Sequence, residues 1–79
     1  MKLKPHEREL LSILAEEWEK SGPPGYLETT FIAERLEISI ADAKSAIQSL
    51  FVKGLVDSDQ VDTFAAYLTP EGYELARRD

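Results

Sequence analysis

Residues 31–56 read FIAERLEISIADAKSAIQSLFVKGLV, two short helical patterns with Glu37-Ile38-Ser39 between them. Ser39 opens the second pattern with Asp42 three positions on, the spacing of a capping box with aspartate in place of the usual glutamate or glutamine. At about 100° per residue, Ala43, Ala46, Ile47 and Leu50 share one face and must point inward. Alanines in that stripe let the helix approach its neighbours closely. Gly54 is the expected end, in a left-handed position that glycine takes cheaply. Leu55-Val56 then begins a strand.

The opposite face of this helix carries Ala41, Ser45, Gln48, Ser49 and Val52. Lys44 and Lys53 lie on its two flanks. Ile40 and Phe51 sit near the Lys44 flank, at the boundary between core and solvent. The helix before it is capped by Thr29 or Thr30 and turns Phe31 or Ile32, Ala33 and Leu36 inward.

Upstream, Lys4-Pro5 opens a first helix. Proline suits a first helical position because its missing N–H would be unpaired there. Glu7 and Glu9 favour the positive end of the dipole. Leu10, Leu11, Leu14 and Trp18 form an apolar stripe, and Trp18 is expected to pack the end of the helix onto the core. Ser21-Gly22-Pro23-Pro24-Gly25 stops that helix in a surface loop. Tyr26-Leu27-Glu28-Thr29 reads as a short strand that pairs with the later hairpin. Downstream, residues 55–59 and 63–68 read as two strands around a turn near Gln60-Val61-Asp62. Thr69-Pro70-Glu71 starts a last helix, with Tyr73 and Ala76 toward the core, Leu75 a further candidate for it, and Arg77-Arg78 at the negative end.

The expected fold is α+β, mainly α: helix, short strand, helix, helix, β-hairpin, helix. Seventy-nine residues make one domain, 1–79. Such a chain buries only about 60% of its unfolded surface, so its core must be compact. No apolar run approaches the roughly 18 residues of a membrane span, and no secretory h-region follows the amino end. The absence of cysteine excludes disulfides and thiolate metal sites and fits a reducing cytoplasm. The initial methionine points to a full-length protein. A net charge of −6 repels nucleic acid unless basic groups gather on one face.

The order of elements resembles the winged helix-turn-helix domains of MarR-type and related bacterial and archaeal regulators. The matching pieces are Ala33-Glu34-Arg35-Leu36, the ungapped run from Ser39 to Leu50, Lys53-Gly54-Leu55-Val56, and Leu68-Thr69-Pro70-Glu71-Gly72-Tyr73-Glu74-Leu75-Ala76. The resemblance implies that the helix over residues 40–53 enters the major groove and that the hairpin, the wing, lies along the backbone. It makes Ile40, Ala41, Lys44, Ser45, Gln48 and Ser49 candidate DNA contacts; apart from the resemblance, the charges of Lys53 and Arg35 make them candidate phosphate or backbone contacts. The chain departs from the family where arginines are common in the wing: it has Asp57, Asp59 and Asp62. Within these 79 residues the long additional helices through which such regulators dimerise are not expected, although the first helix could serve.

Two functions follow. The first is DNA binding, with Gln48 pairing to adenine and Lys44 and Lys53 reaching phosphates. Proteins that bind DNA well neutralise about six to ten phosphates, so binding here is expected to be weak or partner-dependent. The second is protein interaction or self-association, possible as a homodimer about a two-fold axis, through Ile40, Phe51 and Val52 on the neutral helix face. No catalytic set is evident. His6 is the sole histidine and lacks metal partners. Asp57-Ser58-Asp59 with Asp62 lacks the glycine of a calcium loop and has Leu68 where its bidentate glutamate would stand. No glycine-rich phosphate loop, cofactor motif or small-molecule site is evident.

Overall fold

The structure is a computed structural model and describes residues 3–23, 25–58 and 65–78. The elements run α1 (Pro5–Ser21), β1 (Leu27–Glu28), α2 (Thr29–Leu36), α3 (Ile40–Val52), β2 (Val56–Ser58), β3 (Ala65–Leu68) and α4 (Pro70–Arg78).

Pro5 occupies the first position of α1. Glu7 reaches back so that the Lys4 amide donates to its Oε1 at 2.8 Å. Leu10, Leu11 and Leu14 are buried along the inner stripe. Trp18 continues it, half-buried, and its ring stacks on Tyr73 of α4 with 4.7 Å between centroids and 10° between planes. The expected packing role of Trp18 is therefore met by a partner at the far end of the chain.

β1 leads straight into α2, so Glu28, the last strand residue, takes the N-cap position expected for Thr29 or Thr30. Thr29 is instead the first helical residue and is buried. Ile32 and Ala33 face the core while Phe31 is exposed, which selects Ile32 from the two candidates. The helix ends at Glu37, whose backbone is left-handed at φ 58° and ψ 44°. The amides of Glu37 and Ile38 donate to the carbonyls of Glu34 and Ala33. These two bonds make a Schellman motif, with glutamate where glycine is usual.

The Ser39 hydroxyl caps α3 by accepting from the Asp42 amide at 3.0 Å. Ala43, Ile47 and Leu50 are fully buried, and Ala46 is half-buried against the same core. The inward stripe expected from the sequence is the stripe observed. At the other end Gly54 has φ 78°. The Gly54 and Leu55 amides donate to the carbonyls of Phe51 and Leu50, a second Schellman motif, here with the expected glycine.

The sheet is antiparallel with order β1-β3-β2. Leu27 faces Ala66 across β1 and β3, and Val56 faces Leu68 across β2 and β3. The short strand expected near residues 26–29 thus pairs as anticipated. The turn expected near Gln60-Val61-Asp62 lies outside the described residues. Thr69 joins the sheet to α4: its hydroxyl accepts from the Gly72 amide at 3.0 Å and donates to the Gly54 carbonyl at 2.8 Å. Gly72 is buried, and a Cβ there would lie 1.9 Å from the Leu55 carbonyl oxygen. Tyr73, Leu75 and Ala76 close the core from this side. Each large apolar side chain so buried contributes about 1.5–3 kcal/mol relative to exposure. Among the described residues no helix is long and apolar enough to cross a membrane.

Candidate nucleic-acid interface

Burying Ala43, Ile47 and Leu50 fixes what α3 presents outward. Ala41, Ser45 and Gln48 are exposed, and Val52 continues their line at 83% exposure. Ile40 and Phe51, at 48% and 42%, are more open than core-edge residues need to be. Lys44 is half-buried between them. The outward face is therefore small-sided, neutral and partly apolar.

Ser49 does not belong to it. It follows Ala46 by three residues, which sets it only about 60° round the helix from that inward position. Ser49 is half-buried and faces α1, where its hydroxyl donates to Oε2 of Glu7. The Lys53 ammonium donates to the same oxygen at 3.0 Å and to the Ser49 hydroxyl at 3.3 Å. Glu7 itself is only 2% exposed. Burial pushes its carboxyl up, but the Ser49 hydroxyl, the Lys4 amide and the Lys53 ammonium together outweigh that and bring its pKa down to about 2. Two of the eight candidate DNA contacts are thus bound to a buried carboxylate. Sequence reasoning assigned Glu7 only to the helix dipole, and no local signal pairs it with residues more than forty positions away.

Arg35 is exposed on α2, its guanidinium 3.7 Å from Glu16 and 5.8 Å over the Phe31 ring. On the hairpin, the Tyr67 hydroxyl donates to Asp57 at 3.3 Å, and the Asp57 charge raises the Tyr67 pKa. Asp59 and Asp62 lie outside the described residues. A shallow groove of about 290 Å³ runs between the start of α1 and α3, lined by Lys4, His6, Glu7, Asp42, Ser45 and Ser49. Among the described residues no group of three or more histidine, aspartate or glutamate side chains is placed to hold a metal ion.

Solved structures superpose on nearly all of this. A candidate DNA-binding protein from Ralstonia eutropha JMP134 matches over 98% of this chain and 96% of its own, at 28% identity and a TM-score of 0.80. ZitR from Lactococcus lactis, a zinc-responsive MarR family member, matches over 98% of this chain at 26% identity and a TM-score of 0.75. The fold is that of a MarR-type winged helix. AdcR, the adhesin competence repressor of Streptococcus pyogenes, shares this winged helix over 98% of the chain at 26% identity and a TM-score of 0.73. The chain spans about half the length of ZitR and AdcR, 51% and 55% respectively. No protein-family model and no curated protein matches the sequence.

Proposed function

We propose that this winged helix is a non-enzymatic DNA-binding module of the transcriptional-regulator type, acting in the cytoplasm. The observation that carries the reading is the exposed line Ala41, Ser45, Gln48 on a helix whose other side buries Ala43, Ile47 and Leu50 in the core. Small side chains at Ala41 and Ser45 let a helix sit close to base edges, and a glutamine amide pairs bidentately with adenine. Ile40 flanks that line, and Lys44 and Arg35 supply phosphate contacts. The likeness to ZitR, AdcR and the Ralstonia protein supports the same reading.

Binding is weak, or needs a partner or a second copy. Arg35 shares its charge with Glu16, Lys53 shares its charge with Glu7, and Asp57 adds negative charge on the hairpin. A titration of labelled mixed-sequence duplex at 10–50 mM salt tests the reading. Saturable binding that Gln48→Ala weakens is the expected result. Absence of binding below about 100 μM, where even non-specific affinity registers, removes it.

One observation favours protein interaction instead. Val52, Ile40 and Phe51 expose apolar surface along α3, and interface centres are depleted in charge. Val52→Glu leaves the fold intact and abolishes self-association or partner capture in that case. Unchanged sedimentation and capture count against it.

A further inference from the structure

Among the described residues Glu7 is the one buried charged side chain, and it lies at the edge of the face that the DNA reading uses. We propose that Glu7 is a positioning residue that acts as a brake: its carboxylate withholds the Lys53 ammonium from phosphate. This deepens the DNA reading and rests on it.

The geometry carries the argument. Lys53 stands at the C-cap of α3, its side chain 31% exposed, so its stem is held down while its head is turned to Glu7 at 3.0 Å. An ammonium has three donors. Two of them point to Glu7 Oε2 and Ser49 Oγ. The carboxylate does not easily release it, because Glu7 at 2% exposure leaves little surface for water to replace a lost partner. The Lys4 amide fixes the other carboxylate oxygen, which stops the side chain from swinging out with the lysine.

The consequence is electrostatic. A lysine that neutralises a phosphate releases condensed counterion and adds about 0.9 to the slope of log affinity against log salt. A lysine already neutralised by a buried carboxylate adds little. Replacing Glu7 by glutamine keeps an acceptor for the Lys4 amide but removes the charge that holds Lys53.

The test compares the full chain with E7Q, K53Q and E7Q/K53Q, each first shown to melt cooperatively. E7M, an apolar side chain of similar length, serves where E7Q does not fold. Binding of a labelled mixed-sequence duplex is followed over a salt ladder. E7Q binds about 3–10-fold tighter than the parent at 50 mM salt, with a slope steeper by about 0.9. Both gains vanish in the K53Q background. A gain that survives in E7Q/K53Q reflects only the removal of one negative charge and overturns the brake, as does a parent-like E7Q. Elution from phosphocellulose separates this from failure of the DNA reading. If no variant binds duplex, the DNA reading falls. In that case E7Q eluting later than the parent only when Lys53 is present upholds the brake, and equal elution overturns it.

Discussion

The Ser49 hydroxyl on α3 donates to the Glu7 carboxylate on α1, joining residues 42 positions apart. With the Lys53 ammonium and the Lys4 amide it keeps Glu7 ionised down to a pKa of about 2, against an ordinary 4.5. A carboxyl depressed by folding contributes its stability above the unfolded pKa and loses it as pH falls toward the folded value. The window for Glu7 is therefore pH 4.5 down to about 2. The shift corresponds to about 3 kcal/mol at neutral pH. Chemical denaturation from pH 7 to pH 2.5 should show E7Q destabilised at neutral pH and approaching the parent at the acid end. Parallel curves for the two proteins would mean that the Glu7 contacts contribute nothing specific.

Gly72 lies against the Leu55 carbonyl, which also accepts from the Thr69 amide at 3.2 Å. A Cβ at 1.9 Å from that oxygen cannot be relieved by rotating a side chain, since the neighbour is backbone. Gly72→Ala must move α4 away from Leu55 at the start of the hairpin and strain the Thr69 bonds. Alanine's better helix propensity, about 1 kcal/mol, opposes an overpacking cost of about 3 kcal/mol or more. For a domain of this size the net corresponds to a fall in Tm of about 10 °C or more. A Tm that stays level or rises would show that α4 docks less tightly than the contact implies.

The inner half of α3 was legible because its information is local. Ala43, Ala46, Ile47 and Leu50 repeat at the helical period, and period alone says which way they face. Ser39, Asp42 and Gly54 mark the ends by chemistry within a few residues. The outer half was legible only in part. Ala41, Ser45, Gln48 and Val52 face outward as expected, but Ser49 sits close enough to Ala46 on the wheel that its direction depends on a partner. That partner is on α1, and no spacing rule connects the two. Gly72 was hidden for the same reason: within TPEGYEL it is an unremarkable helical residue, and the carbonyl that excludes a Cβ comes from the start of the hairpin. The N-cap of α2 was misassigned because threonine is the better cap by composition, whereas pairing of Leu27 and Glu28 with β3 determines where the strand stops.

Glu37 is the one described non-glycine residue with positive φ, at 58°. An L-residue in this region places Cβ near the following carbonyl oxygen, which costs about 1–2 kcal/mol. Glycine has no Cβ and takes the same position without that cost, though its unfolded state has more freedom to lose. The two Schellman bonds, from the amides of Glu37 and Ile38, use only backbone atoms and survive the change. Glu37→Gly should therefore stabilise the domain by about 0.5–1 kcal/mol, or raise its Tm by about 2–8 °C. Glu37→Ala keeps the Cβ and should gain nothing, which separates relief of backbone conformation from loss of a negative charge. Equal melting of the two variants would place the effect in the charge; a drop in both would mean that the glutamate side chain itself supports the turn.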